Sequence, residues 1–232
     1  MSARRRSSRP HSVARPIKTI STNFWSRLRP TCGPRAAKRA FDLALAAFAL
    51  LLTAPLQALA ALAIIVSMGR PVLFRQQRPG LNGQPFELIK FRTMVETVEG
   101  VEATSDADRL TPVGRVLRST SLDELPTLWN ILKGDMSIVG PRPLLMAYLE
   151  RYTEVQARRH EVRPGLTGLA QVNGRNELTW DEKFSYDTAY VDSHSMGGDI
   201  KIIARTFLTV LKREGISAHN SATMPEFLGG TE

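Results

Sequence analysis

The sequence is poor in cysteine, and its first 39 residues contain no acidic residue. Because Cys32 is the single cysteine, an intramolecular disulfide and a cysteine-based zinc site are excluded. No phosphate-binding GxxxxGK[ST] loop, dinucleotide-binding fingerprint or serine nucleophile elbow is present, so classical nucleotide hydrolysis and hydride transfer have no support. The 4 histidines have no spacing that indicates a metal site or a catalytic triad.

Positive charge is concentrated at one end of the chain. The formal net charge is +9, but eleven Lys and Arg residues lie in residues 1–39, and the rest of the chain has twenty basic and twenty-two acidic residues. Residues 1–37 are rich in Arg, Ser and Pro and lack an apolar pattern, which predicts a disordered basic tail. Such a tail suits anionic phospholipid, whereas the slightly acidic remainder makes nucleic acid an improbable partner.

A long uncharged run follows the tail. Residues 43–69 contain no charged side chain and are long enough to enter a bilayer. Pro55 lies near the middle, where its missing N–H and its ring favour a helix break, and each arm of roughly 20 Å is too short to cross about 30 Å of hydrocarbon. Basic residues flank both ends of this run, and this favours a topology in which the two ends lie in the cytoplasm. We therefore predict a re-entrant membrane helix hairpin over residues 38–69, with a bent membrane span as the alternative.

Residues 70–232 are predicted to form a cytosolic catalytic domain. The segments VLFRQQ and FELIKFRTM are typical of two short strands joined by the turn RPGLNGQP. Residues 143–162 and 179–191 have apolar residues at helical spacing, which predicts a helix in each segment, and Thr179 with Glu182 forms a capping-box pattern. Residues 199–214 are amphipathic, as in a core helix or a helix on a membrane surface. The expected fold class is α+β, mostly helical, with a membrane helix hairpin, a short β-hairpin and amphipathic helices at the membrane surface.

Two adjacent carboxylates, Asp123 and Glu124 in SLDELP, are the candidate catalytic residues. They lie where a helix is expected to begin, and the alternative is structural: Asp123 as the N-cap, or Ser121 with Glu124 as a capping box. A helix N-terminus at Asp123 would favour an anion there and would keep the carboxylate ionised.

Basic residues beside Gly and Pro are the candidate phosphate ligands. Arg142 lies between two prolines, which hold its backbone extended, and Arg175 follows an Asn-Gly turn. Rigidly presented guanidinium groups suit bidentate phosphate recognition. Any one of these arginines could instead be a solvated surface charge, but several beside Pro or Gly weaken that alternative.

The ordered set of motifs resembles one family over most of the chain, from about Lys38 onward. The motifs are KRAFDLALA, GRPVLFRQQRPGLNGQPFELIKFRTM, LRSTSLDELPTLWNILKGDMSIVGPRP, RPGLTGLAQVNGR and EKFSYDTAYVD. Together they resemble the bacterial sugar transferases, the monotopic polyprenol-phosphate phosphoglycosyl transferases, in their minimal small form. Pro55 matches the helix-breaking proline of that family.

The resemblance implies transfer of a sugar-1-phosphate from a UDP-sugar to undecaprenyl phosphate, with release of UMP and a requirement for Mg²⁺. Asp123 would be the nucleophile that forms an aspartyl-phosphosugar intermediate, and it would lie near Mg²⁺. Glu124 would position or deprotonate the incoming phosphate. Matched basic residues would bind the substrate phosphates: Lys90, Arg118, Arg142 and Arg175.

The resemblance also implies a site on the cytoplasmic face of the bacterial inner membrane, at the start of exopolysaccharide, capsule, O-antigen or glycoconjugate assembly. Downstream glycosyltransferases are candidate partners. The C-terminal EGISAHNSATMPEFLGG resembles members that act on N-acetylated UDP-sugars.

Two other functions stay open at this point. One is a membrane-anchored basic module that binds anionic lipid or nucleic acid without catalysis, and the other is a membrane-bound phosphatase that hydrolyses a diphosphate.

For a transferase, deletion of residues 1–37 is expected to remove binding to polyanions and to leave activity largely intact, because the candidate site lies elsewhere. A filter-binding assay beside a UMP-release assay checks this. Loss of UMP release from a folded deletion variant would contradict the separation of tail and site.

Overall fold

The computed structural model describes residues 35–95, 106–174, 177–212 and 226–229. Residues 1–34 of the predicted tail and Arg175 lie outside the described residues. The helices are α1 (Arg35–Met68), α2 (Asp106–Arg109), α3 (Pro112–Ser119), α4 (Leu128–Lys133), α5 (Glu154–Ala157), α6 (Leu169–Val172), α7 (Trp180–Ser193) and α8 (Met196–Lys212). The strands are β1 (Leu73–Pro79), β2 (Pro85–Phe91), β3 (Ser137–Val139) and β4 (Gly165–Thr167), and short 3₁₀ turns cover Leu81–Gly83, Leu122–Thr127, Met146–Tyr148 and Arg158–Glu161.

Helix α1 runs through Pro55 as one helix of 34 residues. The predicted helix hairpin is therefore not seen as two separate helices. Polar side chains lie beside the proline: the Thr53 hydroxyl donates to the Ala49 carbonyl oxygen at 2.6 Å, and the Gln57 amide donates to the Thr53 hydroxyl at 2.9 Å. Such side chains allow a membrane helix to accommodate the hydrogen bond that proline removes.

Much of the apolar surface of α1 is exposed. Among the described residues this is the helix long and apolar enough to cross a membrane, and only 11% of its most apolar stretch is buried within the protein. Leu51 is 78% exposed and Val66 79%. A core helix of a soluble domain would be mostly buried, so this surface favours lipid as its environment.

Two small sheets organise the rest of the described chain. Strands β1 and β2 form the predicted antiparallel hairpin, in which Leu73 pairs with Phe91 and Pro79 with Pro85. Strands β3 and β4 form a parallel pair that the sequence pattern did not indicate. The main core lies between these sheets and α1, with Ala46, Leu88, Ile131 and Val139 all nearly inaccessible to solvent.

The helical predictions are confirmed from Thr179 onward and are partly wrong before it. The capping box of Thr179 and Glu182 is present at the start of α7, and the amphipathic segment is α8. Residues 143–162, predicted as one helix, form only two 3₁₀ turns and α5. Here Thr153 begins α5 with its own capping box to Gln156, and this interrupts the pattern that sequence spacing indicated.

Candidate functional site

The dyad lies in a 3₁₀ turn, Leu122–Thr127, and α4 begins only at Leu128. Ser121 precedes the turn in the left-handed region, at φ 57°, and its side chain makes no capping hydrogen bond. Both structural alternatives for the dyad are therefore wrong. A helical segment does begin close to Asp123, as predicted, but its first part is a 3₁₀ turn rather than an α-helix. Because the 3₁₀ turn continues directly into α4, neither carboxylate caps the N-terminus of a helix.

Buried polar side chains of this segment attach it to strand β2. The Thr127 hydroxyl donates to the Ile89 carbonyl oxygen at 2.9 Å, and the Ile89 N–H donates to the Asn130 side-chain oxygen at 3.1 Å. The Asn130 amide also donates to the Glu87 carbonyl oxygen at 2.7 Å. These bonds fix β2 against the dyad turn, so that Lys90 faces Glu124.

Glu124 is held by two cations. Lys90 Nζ lies 2.7 Å from Glu124 Oε1, and an Arg142 guanidinium nitrogen lies 2.6 Å from the same oxygen. Burial alone would raise the pKa of Glu124, but the charges and hydrogen bonds of Arg142 and Lys90 outweigh it and hold the pKa well below its usual range. Glu124 is thus an ionised carboxylate at neutral pH and a weak base.

Asp123 is in the opposite electrostatic state. Burial, followed by the charge of Glu124, raises the pKa of Asp123 to about 6, while Lys90, Arg142 and Arg118 act in the other direction. Among the described residues, none makes a hydrogen bond or an ion pair with this carboxylate. At pH 7 it is mostly ionised, more basic than an ordinary aspartate and not neutralised by a direct partner, which is the state that a carboxylate nucleophile needs.

The segment that follows β3 presents Arg142. Asp42 of α1 accepts hydrogen bonds from the Ser137 hydroxyl at 2.8 Å and from the Ile138 N–H at 3.1 Å, and so fixes β3 to α1. The buried Arg159 donates to the Arg142 carbonyl oxygen at 2.7 Å. The guanidinium of Arg142 is therefore presented from a backbone fixed on both sides.

The predicted phosphate ligands fall into two groups within the described chain. Lys90 and Arg142 meet at Glu124, whereas Arg118 donates to the Thr93 hydroxyl at 3.0 Å and reaches Asp123 only through its charge. Arg92 and Arg163, two further basic residues beside the motifs, donate to backbone carbonyl oxygens and lie outside the cluster. The contribution of Arg175 to the site stays a prediction.

Helix α3, which carries Arg118, is pressed against Thr93 at Gly114. A Cβ atom at Gly114 would lie 1.9 Å from the Thr93 carbonyl oxygen. We expect Gly114→Ala to destabilise the protein by about 1–3 kcal/mol, because backbone must move to admit the methyl group. Thermal unfolding checks this, with Gly197→Ala as the control, since nothing lies within 4 Å of a Cβ atom there. Equal melting temperatures for the two variants would contradict the close packing.

Known proteins resemble this chain over most of its length. The family model described as bacterial sugar transferase matches residues 33–213. The chain is 50% identical over 193 residues to a Bacillus subtilis (strain 168) protein named uncharacterized sugar transferase EpsL, covering 83% of this chain and 96% of that protein.

Two further relatives carry the name UDP-glucose:undecaprenyl-phosphate glucose-1-phosphate transferase. The one from Caulobacter vibrioides is 44% identical over 193 residues, which cover 77% of this chain and 72% of that protein. The one from Escherichia coli (strain K12) is 46% identical over 189 residues, which cover 77% of this chain and 40% of that protein. A family match over most of its length and this level of identity establish that the chain belongs to the bacterial sugar transferases.

Proposed function

We propose that this protein transfers a sugar-1-phosphate from a UDP-sugar to undecaprenyl phosphate, as the first step of glycan assembly. The observation that carries the proposal is the asymmetry of the dyad. Glu124 is neutralised by Lys90 and Arg142, whereas the more basic Asp123 has no direct partner among the described residues. Relatives whose names give an undecaprenyl-phosphate sugar-1-phosphate transferase support the same reaction.

The reaction would proceed in two displacements at one phosphorus atom. In the first, an Asp123 carboxylate oxygen attacks the β-phosphorus of the UDP-sugar, the bond from that phosphorus to the bridging oxygen breaks, and UMP leaves. In the second, a phosphate oxygen of undecaprenyl phosphate attacks the same phosphorus, and the Asp123 carboxylate departs unchanged. Each half-reaction has one acceptor, so a soluble donor and a lipid use the site in turn.

The cations around the dyad suit the charge that builds up on the transferred group. Lys90 and Arg142 are already placed and partly desolvated, with side chains 20% and 43% exposed, so little reorganisation is needed when a phosphoryl group enters. The lowered pKa of Glu124 favours a positioning role for this residue over deprotonation of the incoming phosphate.

We propose Mg²⁺ as the cofactor, held by Asp123. Among the described residues there is no group of three or more metal-type ligands. A single half-buried carboxylate still fits this ion, because Mg²⁺ is commonly bound by one or two carboxylates together with substrate phosphates and waters. When bound, Mg²⁺ would neutralise charge on the donor diphosphate.

The experiment that tests the function is UMP release from a panel of UDP-sugars, with and without undecaprenyl phosphate and Mg²⁺. The panel includes UDP-glucose, UDP-galactose and N-acetylated donors, because the names of the relatives and the C-terminal resemblance point to different sugars. Sustained release, beyond one UMP per enzyme molecule, that requires both additions supports the transferase. Sustained release without the lipid indicates a phosphatase, and no release from any donor favours an anchored binding module.

We further propose that α1 is re-entrant, at the cytoplasmic face of the bacterial inner membrane. As a straight helix, 34 residues would extend roughly 50 Å. Yet residues on both sides of Pro55 pack on the same cytosolic body: Ala46 lies in the core with Ile131, and Ile64 lies in a second cluster with Leu117. A full span would carry one of these arms to the opposite leaflet, where this body has no surface to contact.

Labelling of single cysteines tests this topology. The native Cys32 lies three residues before α1, and Gly197→Cys in a Cys32→Ser background reports on the exposed start of α8. We expect a membrane-impermeant maleimide to label both positions in inside-out vesicles and neither in right-side-out vesicles. Labelling of Cys32 from the opposite face to position 197 would show a full span instead.

A further inference from the structure

A cavity beside the dyad is lined by a cation that the sequence motifs did not single out. It has a volume of about 80 Å³, and its charged lining consists of Arg78, Lys90, Glu124 and Arg142. Asp123 does not belong to the lining, so the cavity lies on the Glu124 side of the dyad. Three cations and one carboxylate leave this lining with two positive charges in excess, and an anion with two negative charges would balance them.

Arg78 is fixed at the end of β1. Pro79 follows it and is buried, which restricts the backbone of Arg78 as Pro143 restricts that of Arg142. One guanidinium nitrogen of Arg78 donates to the Gln76 side-chain oxygen at 2.6 Å, and the other donates to the Pro143 carbonyl oxygen at 3.3 Å. The guanidinium is thus attached to the segment that presents Arg142.

The Arg78 guanidinium has one hydrogen-bond donor that a ligand could satisfy. Its Nε atom is buried and has no hydrogen-bond partner among the described residues. Burial and the nearby charge of Arg142 lower the pKa of Arg78 to about 10, so it stays protonated at neutral pH although no carboxylate pairs with it within the described chain. A buried donor without an acceptor is costly, and two guanidinium groups near each other repel.

We infer that Arg78 is a phosphate-binding residue, which together with Arg142 binds a phosphate oxyanion that enters this cavity. The inference rests on the proposed function, because the oxyanion would belong to one of its substrates. It would be either the α-phosphate of the UDP-sugar, which leaves as UMP, or the phosphate of undecaprenyl phosphate. The apolar part of the lining, which includes Leu88, Leu144 and Leu166, lowers the local polarity and so strengthens either contact.

The test uses the full chain in lipid particles, with the variants Arg78→Gln and Arg78→Lys. Arg75→Gln is the matched control: it removes the same charge from the same strand, where Arg75 forms an exposed ion pair with Glu87 at 2.6 Å. We expect Arg78→Gln to raise the KM of one substrate about tenfold, with a smaller change in kcat, because charged hydrogen bonds to that substrate are lost. Arg78→Lys should show a smaller rise, since lysine keeps the charge without the planar fork.

The two sources of the phosphate separate in the kinetics and in binding. A raised KM for the UDP-sugar, with weaker thermal stabilisation by UMP, assigns the site to the donor. A raised KM for undecaprenyl phosphate, with weaker stabilisation by that lipid, assigns it to the acceptor. Unchanged KM values and ligand-induced stabilisation, or a fall in kcat alone from displacement of Arg142, would overturn the inference. Failure of the proposed function is distinct, because wild type and Arg75→Gln would then also release no UMP, while the two binding measurements would still report on Arg78.

Discussion

Asp123→Asn is expected to lower UMP release at least about 1000-fold and to leave the protein folded. Asparagine has nearly the shape of aspartate, but its neutral amide is a poor nucleophile and cannot form the acyl phosphate. Asp123 makes no hydrogen bond with a described residue, so the substitution removes no observed contact. Initial rates with saturating UDP-sugar and undecaprenyl phosphate measure the effect.

The same substitution is expected to leave thermal stability unchanged or higher at pH 7. Burial and the charge of Glu124 raise the pKa of Asp123 above its ordinary value, so folding disfavours the charged form. The ionised carboxylate therefore costs stability above pH 6, and a neutral amide removes that cost. Loss of activity with unchanged or higher stability is the pattern expected when a functional residue is replaced. Replacement of a structural carboxylate would lower both activity and stability.

Asp181→Asn is the control for this prediction, because it makes the same chemical change at an exposed position in the first turn of α7. It should retain full activity. Mass spectrometry of protein incubated with donor alone should find a sugar phosphate on the peptide that contains Asp123. Appreciable turnover by Asp123→Asn, or an adduct on another peptide, would contradict the assignment of the nucleophile.

The sequence predicted features whose causes are local. The β-hairpin followed from a turn rich in Gly, Pro and Asn between two apolar segments, and the structure has it as β1 and β2. The start of α7 followed from a capping box within four residues. Lys90 and Arg142 were selected by resemblance and by proline-restricted backbone, and the structure brings both to Glu124.

What the sequence did not reveal depends on contacts between distant residues. Lys90 and Glu124 are separated by 34 positions, and buried bonds from Thr127 and Asn130 bring them together. No periodic pattern marks such polar residues, since Thr and Asn are common in turns. Arg78 was missed because only the fold shows that its guanidinium reaches the cavity of Arg142. The parallel pair of β3 and β4 was missed because each strand has only three residues.

Glu124→Gln is expected to lower turnover about 100-fold, because one carboxylate oxygen balances two cations. Oε1 accepts hydrogen bonds from both Lys90 and Arg142, and a neutral amide leaves both charges without a counterion. Hydrogen bonds to charged groups contribute about 1.5–3 kcal/mol each. Their loss is enough to move the Lys90 and Arg142 side chains away from the place where the transferred phosphoryl group would bind. Rates of UMP release, with thermal unfolding to verify folding, measure the effect.

The matched control is Glu87→Gln, which breaks the exposed ion pair of Glu87 with Arg75 on the same hairpin and should change turnover little.

The half-reaction in which the loss occurs decides between the two roles implied for Glu124. A residue that positions Lys90 and Arg142 serves the phosphoryl group in both displacements, so Glu124→Gln should slow single-turnover UMP release without lipid as well as transfer to undecaprenyl phosphate. A loss confined to the lipid step would instead favour deprotonation of the incoming phosphate. The lowered pKa of Glu124 argues against that outcome, because a carboxylate held by two cations is a weak base.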